Sequence, residues 1–282
     1  MILVAGGTGR LGTRVVTRLA ATGVGVRVLT RDPARARHLD PLATQIVVGD
    51  VRDRASVEAA TRGATTVVSA VHGFAGPGRV TPASVDRDGN ANLVDGAAAA
   101  GADVVLMSVV GASPNNPMEL FRAKYAAEEH LRASGVRWTI VRATAFVELW
   151  ADIMTKPLVF GRGDNPINFV SVDDVAAVVA RAVTDLRLRD MVLEVGGPEN
   201  LTFNQLAALL QSVRGLPGKV RHVPRSLLRA MAPVHRRPRA ALAMDTIDMA
   251  FDAHAARHAF ADLPMSDIRL ALEKTREQQR SR

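Results

Sequence analysis

Met1-Ile2-Leu3-Val4-Ala5-Gly6-Gly7-Thr8-Gly9-Arg10-Leu11-Gly12 decides the fold, because an apolar run ends directly in a glycine-spaced turn. The placement matters more than the pattern. A strand that feeds such a turn and then a helix makes a phosphate cradle. Gly6 permits the tight turn, Gly9 lets backbone approach a pyrophosphate, and Gly12 allows close helix–strand packing. The segment that follows carries Thr13, Val15, Val16, Leu19 and Ala20, and its positive N-terminal end points at the anion. A tight turn with no ligand is the competing reading.

Outward from the cradle, apolar runs alternate with helical stretches. Strands are predicted over 2–5, 24–29, 46–48, 66–69, 104–108 and 139–142, with helices over 13–21, 33–39, 54–61, 84–100 and 117–134. Near-continuous apolar strands separated by helices indicate a parallel sheet covered on both faces. After Ala145 the alternation loosens. Residues 160–166 form a turn-rich insertion, and Ser171-Val172-Asp173-Asp174 opens a helix with Ser171 as its cap. Residues 191–195 read as another buried strand, closed by Gly196-Gly197-Pro198. From Glu199 the chain reads as helical and arginine-rich, punctuated by Pro217, Pro224, Pro233 and Pro238. The expectation is an α/β fold: a doubly wound parallel sheet (Rossmann) with a smaller, mainly helical C-terminal substrate lobe. The nucleotide-binding domain is expected over 1–150, completed by segments near 167–197, and the lobe over 151–166 and 198–282.

Composition narrows the partners. At 282 residues, 48% hydrophobic and 23% charged, the chain is an ordinary globular protein able to bury a sizeable core. Cysteine is absent, which excludes disulfides, thiolate metal sites and a cysteine nucleophile, and fits a cytoplasmic location. The first apolar run is five residues long and belongs to the cradle, so no signal peptide is expected. No stretch approaches the roughly 20 apolar residues of a membrane span. The net charge of +8 invites a nucleic-acid reading. Against it, the positive charge is nearly all arginine spread along the chain, and aromatic content is 4%, too low for a base-stacking platform. The cluster His235-Arg236-Arg237-Pro238-Arg239 and the tail 274–282 read as solvated surface. His222, His235, His254 and His258 lack metal-ligand spacing, so no metal is expected. The oligomeric state stays open.

The end of the second strand lies near the adenosine ribose in such a sheet, where a carboxylate suits a 2′-hydroxyl and an arginine a 2′-phosphate. Arg31 occupies that place, Asp32 comes one residue late, and Arg10 can add a charge-assisted contact. NADP(H) is therefore favoured over NAD(H). Asp50 can receive the adenine amino group with Val51 packing on the ring; capping of the following helix is the alternative for Asp50. Ser69-Ala70-Val71 would carry the middle of the cofactor.

The chain resembles the atypical, NmrA-like NAD(P)-binding short-chain dehydrogenase/reductases. The resemblance rests on Gly6–Gly12 read as Gly6-Gly7-Thr8-Gly9-Arg10-Leu11-Gly12, on Gly49-Asp50, and on Val85-Asp86-Arg87-Asp88-Gly89 opening a long helix. Further matches are Lys124-Tyr125-Ala126-Ala127-Glu128-Glu129, Ser134-Gly135-Val136-Arg137-Trp138-Thr139 and Phe169-Val170-Ser171-Val172-Asp173-Asp174-Val175-Ala176. It implies cofactor contacts at Gly6, Thr8, Gly9, Arg10, Leu11, Gly12, Arg31, Asp50, Val51, Ala70, Val71 and Lys124. Typical members of the wider superfamily use a serine with a Tyr-x-x-x-Lys pair, whose lysine lowers the phenol pKa so that the tyrosine protonates a carbonyl. Ser108 suits the serine place and Lys124 the lysine, which makes these two the catalytic candidates. Four residues before Lys124, however, stands Leu120, which cannot transfer a proton. Tyr125, the only tyrosine, is adjacent to Lys124 and diverges from it by about 100° on a helix.

Three roles remain for Lys124: holding the nicotinamide ribose, relaying a proton itself, or a surface pair with Glu128. His72 lies where a loop reaches a nicotinamide pocket, although a lone histidine is more often structural or solvated. Phe146, Trp150, Met154 and Phe160 could line an apolar pocket beside the nicotinamide, or belong to the core. The favoured function is an NADPH-dependent reductase of a small, apolar quinone, enone or ketone. Its alternative is a non-catalytic NADP(H) redox sensor working through a protein partner.

Overall fold

The computed structural model describes residues 1–42, 44–74, 80–216, 218–259 and 264–280, and the elements below are those of these residues. Pro217, the ends of the C-terminal tail and the side chains of Arg236 and Arg237, all read above from sequence, lie outside this description. The chain divides into two compact units: Met1–Arg142 with Val175–Glu194, and Ala143–Asp174 with Val195–Arg282.

In the first unit, seven strands form one parallel sheet: β1 (Ile2–Ala5), β2 (Val26–Thr30), β3 (Gln45–Val48), β4 (Thr66–Ser69), β5 (Asp103–Val109), β6 (Trp138–Ala143) and β7 (Met191–Val195). Their order is β7-β6-β5-β4-β1-β2-β3, so the direction of winding reverses beside β1. That switch opens a crevice at the carboxyl ends of the strands. The interleaved helices are α1 (Arg10–Ala20), α2 (Arg54–Thr61), α3 (Asp88–Ala100) and α4 (Glu119–Ala133). Strands covered on both faces bury their side chains throughout, and all four residues of β1 and of β4 are buried, the polar Thr66 and Ser69 included. Helix α1 meets the sheet with Val15, Val16 and Leu19, each 0% exposed. This is the doubly wound Rossmann arrangement expected from the sequence.

Two segments depart from regular helix. Residues 33–42 form a 3₁₀ helix interrupted by Pro41. The segment read as helix from 84 begins earlier, with a π-helical turn over Pro82–Arg87 that passes into α3. Thr81 caps it reciprocally with Ser84, each side chain accepting from the other's backbone N–H at 3.0 Å. Such wide turns are rare and cluster at functional sites.

The second unit is mainly helical, as expected, but also carries short strands that the sequence did not announce. Asn200–Leu201, Ile167–Val170 and Ala145–Phe146 form one small sheet, and Arg221–Val223 pairs with Leu158–Phe160. Ser171 accepts from the Asp173 N–H at 3.2 Å, so the proposed cap of helix Val172–Thr184 is present. Among the described residues, no helix is long and apolar enough to cross a membrane.

Candidate active site

The site is built at the carboxyl ends of β1 and β4. The two strands pair in parallel with Ala5 opposite Ser69, which sets the turns that follow them side by side. Ala70 N–H donates to the Ala5 carbonyl at 2.9 Å. Gly6 turns at φ +83°, a left-handed conformation that favours glycine, and a Cβ there would sit 2.6 Å from the Ala70 oxygen. A Cβ on Gly12 would lie 2.1 Å from the Gly6 carbonyl, so the first turn of α1 packs on the cradle only because that side chain is missing. Gly9, by contrast, would meet Gly6 O alone, at 3.2 Å. Its outer side is open backbone. No side chain caps the start of α1 and no acid stands in its first turn, which suits an anion there.

Of the other cradle positions, Thr8 and Arg10 are half-buried and Leu11 is core. Arg31, at the end of β2, is exposed, and its charge helps to hold the Asp50 carboxyl below the usual range. The larger cause is Arg52, whose guanidinium lies 2.6 Å from Asp50 and whose backbone N–H donates to it. Capping of α2 falls to Asp53, which accepts from Ala55 N–H at 3.1 Å; the capping alternative for Asp50 is thereby corrected. Val51 is buried against Gly89, where an added Cβ would meet it at 2.8 Å.

Helix α4 buries a stripe of Ala123, Lys124, Ala127, Glu128 and Leu131. Two charges therefore enter the interior one turn apart. Lys124 does not pair with Glu128, nor does it lie on the surface. Its ammonium stands 3.0 Å from Asp86 Oδ1, with the two side chains 5% and 0% exposed, and donates to the Val71 carbonyl at 3.0 Å. Asp86 Oδ2 accepts from the Gly73 N–H at 2.7 Å. Asp86 comes from the π-helical turn. Sequence reasoning quoted it within a motif but missed it as a site residue; the pairing of an acid at a helix opening with a buried lysine was the signal available.

Glu128 is held elsewhere. Ser108 donates its hydroxyl to it at 2.5 Å, and Arg142 donates through Nε and Nη2 at 3.0 and 2.7 Å. Leu120, half-buried, stands one turn before Lys124. His72 is exposed, yet the protein packed around it pushes its imidazole below the ordinary histidine range; Asp86 opposes that shift and Lys124 adds to it.

The second unit holds an apolar cavity of about 160 Å³, with Trp150, Met154, Phe160, Phe203 and Met244 in its wall. Trp150 and Phe203 stack obliquely at 4.7 Å. Three of the four residues singled out from sequence line it; Phe146 does not.

A glycine cradle at the switch point of a parallel sheet, bordered by Arg31 and a buried lysine, defines a dinucleotide-binding protein. The family model described as NAD(P)H-binding matches residues 6–186. The chain belongs to that NAD(P)H-binding family, and its relatives are of the NmrA-like, atypical short-chain dehydrogenase/reductase type. It is 30% identical to an NAD(P)H azoreductase of Xenophilus azovorans, over 82% of this chain and 79% of that protein. It is 32% identical to a (4-alkanoyl-5-oxo-2,5-dihydrofuran-3-yl)methyl phosphate reductase of Streptomyces griseus, over 77% and 75%. In fold it is similar to the NADPH complex of an Escherichia coli quinone oxidoreductase, with TM-score 0.77 and 21% identity over 97% of this chain and 99% of that one.

Proposed function

We propose that this protein is an NADPH-dependent reductase of a small, apolar acceptor such as a quinone, an enone or an aromatic ketone. The observation that carries the reading is the Lys124 ammonium, buried beside Asp86 with Leu120 where a proton-donating tyrosine would stand. Hydride transfer to a conjugated acceptor needs less help from a protein acid than reduction of an isolated carbonyl. That difference suits a site without the tyrosine.

Bound NADPH would supply the hydride. The cradle Gly6, Thr8, Gly9, Arg10, Leu11 and Gly12 holds its pyrophosphate, Arg31 takes the 2′-phosphate, and Asp50 and Val51 border the adenine. Ala70 and Val71 carry the middle of the cofactor, and Lys124 orients the nicotinamide ribose. Ser108 serves through Glu128, which it holds in place. The second unit recognises the substrate, and its apolar cavity takes one ring-sized group.

The test follows NADPH absorbance with a panel of quinones and enones. Wild-type protein is expected to turn over at least one acceptor and Lys124→Ala to lose most of that rate. Tight NADPH binding without turnover favours a redox sensor instead. Arg31→Ala should narrow the ratio of NADH to NADPH dissociation constants; an unchanged ratio removes Arg31 from the site.

A further inference from the structure

His72 sits at the centre of the turn that the buried ion pair clamps. Val71, before it, gives its carbonyl to Lys124, and Gly73, after it, gives its N–H to Asp86. The ion pair of Lys124 and Asp86 thus brackets His72 at the end of β4, beside the cradle. Among them only His72 is exposed.

We propose that His72 is the proton donor of the reductase site and that Asp86 is its positioning residue, holding the Gly73 N–H on one side of the imidazole and the Lys124 ammonium, which in turn holds the Val71 carbonyl on the other. This rests on the reductase reading above. A proton donor must be recharged after every turnover. If Lys124 gave up its proton, Asp86 would be left as a buried carboxylate without a counter-charge, an arrangement that costs several kcal/mol. Lys124 is therefore committed to Asp86 as its counter-charge. His72 is exposed, so its ring can exchange a proton with water. The step balances: the acceptor gains a hydride and a proton, an imidazolium N–H bond breaks as an acceptor O–H bond forms, and the neutral ring takes a proton back from water.

Two independent readouts test this. In the cofactor-free protein, the His72 ring is titrated by NMR. Asp86 and Lys124 are the charged groups acting on that ring among the described residues. Asp86→Asn should move the His72 midpoint down in pH, because a stabilising negative charge is lost. Lys124→Met should move it up. In turnover, kcat should fall as pH rises through the His72 midpoint, and Asp86→Asn should shift that limb to lower pH. His72→Gln should lower kcat by about 10²-fold and flatten the limb, with NADPH affinity and unfolding midpoint unchanged. Because His72 is exposed, this variant keeps the proposal falsifiable if a charge variant fails to fold. Wild-type kcat and pH profile in His72→Gln would overturn the donor role. A His72 midpoint unmoved by either charge change would overturn the role of Asp86. Absence of any wild-type turnover would count against the reductase reading itself, whereas turnover with an unaltered His72→Gln profile sinks this inference alone.

Discussion

Helix α4 buries two charged side chains one turn apart and surrounds them in opposite ways. Glu128, fully buried, collects donors: the Ser108 hydroxyl, two guanidinium nitrogens of Arg142, and Arg132 at 3.2 Å. Lys124 has an acid 3.0 Å away and one hydrogen bond, to the Val71 carbonyl, for the three N–H donors of an ammonium. The first arrangement is saturated and serves to fasten α4 to β5 and β6. The second leaves a donor over, at the mouth of a crevice, beside a histidine open to water. Burial of a charge is not by itself a sign of chemistry; what distinguishes the two sites is whether the partners use up the group.

The largest expected effect comes from emptying the saturated site. Glu128→Ala leaves Arg142 facing the interior without its main counter-charge, and breaking such a pair costs about 3–5 kcal/mol. Urea unfolding should show a loss of that order, with the NADPH affinity of the folded protein little changed. A loss under about 1 kcal/mol would mean that water reaches Arg142 and that the contrast with Lys124 is overdrawn.

The same contrast explains what could be read from sequence. The cradle and β1, β4 and β7 were legible because each is a local pattern: an apolar run, then a turn residue. Strand bounds over 66–69 and 191–195 match those of the structure. The π-helical turn over Pro82–Arg87 was not, since Ser84 and the residues after it read as ordinary helix. Nor was the partner of Lys124. Helical spacing offered Glu128, four residues on, but α4 turns both side chains inward to different neighbours, brought by the π-helical turn and the end of β4 for Lys124 and by β5 and β6 for Glu128. Local periodicity says which face is buried; only the sheet order says what waits there.

A middle-sized effect separates Ser108 from the chemistry. Its hydroxyl supplies one of several hydrogen bonds to Glu128, and an isolated bond of this kind to a charged group is worth about 1.5–3 kcal/mol, less where other donors remain. Ser108→Ala should therefore lower stability by about 1 kcal/mol and leave kcat nearly unchanged. A fall of about 10²-fold in kcat with normal stability would move Ser108 to the side of Lys124.

The smallest effect tests the comparison at its solvent-exposed limit. Asp50 and Arg52 pair at 2.6 Å, but their side chains are 25% and 35% exposed, so water and salt screen the pair. Hydrogen bonding from Arg52 holds the Asp50 carboxyl below its ordinary range, with Arg31 adding to the effect. A depressed carboxylate stabilises the fold above its unfolded pKa, and that contribution fades as pH falls through the folded value. The wild type should lose under about 1 kcal/mol from this source on going from about pH 5 to pH 3, and Arg52→Ala should lose less. Raised salt should shrink the difference between the two proteins. If salt leaves it intact, the pair is shielded from solvent, and Asp50 belongs with the buried charges of α4 rather than with the surface.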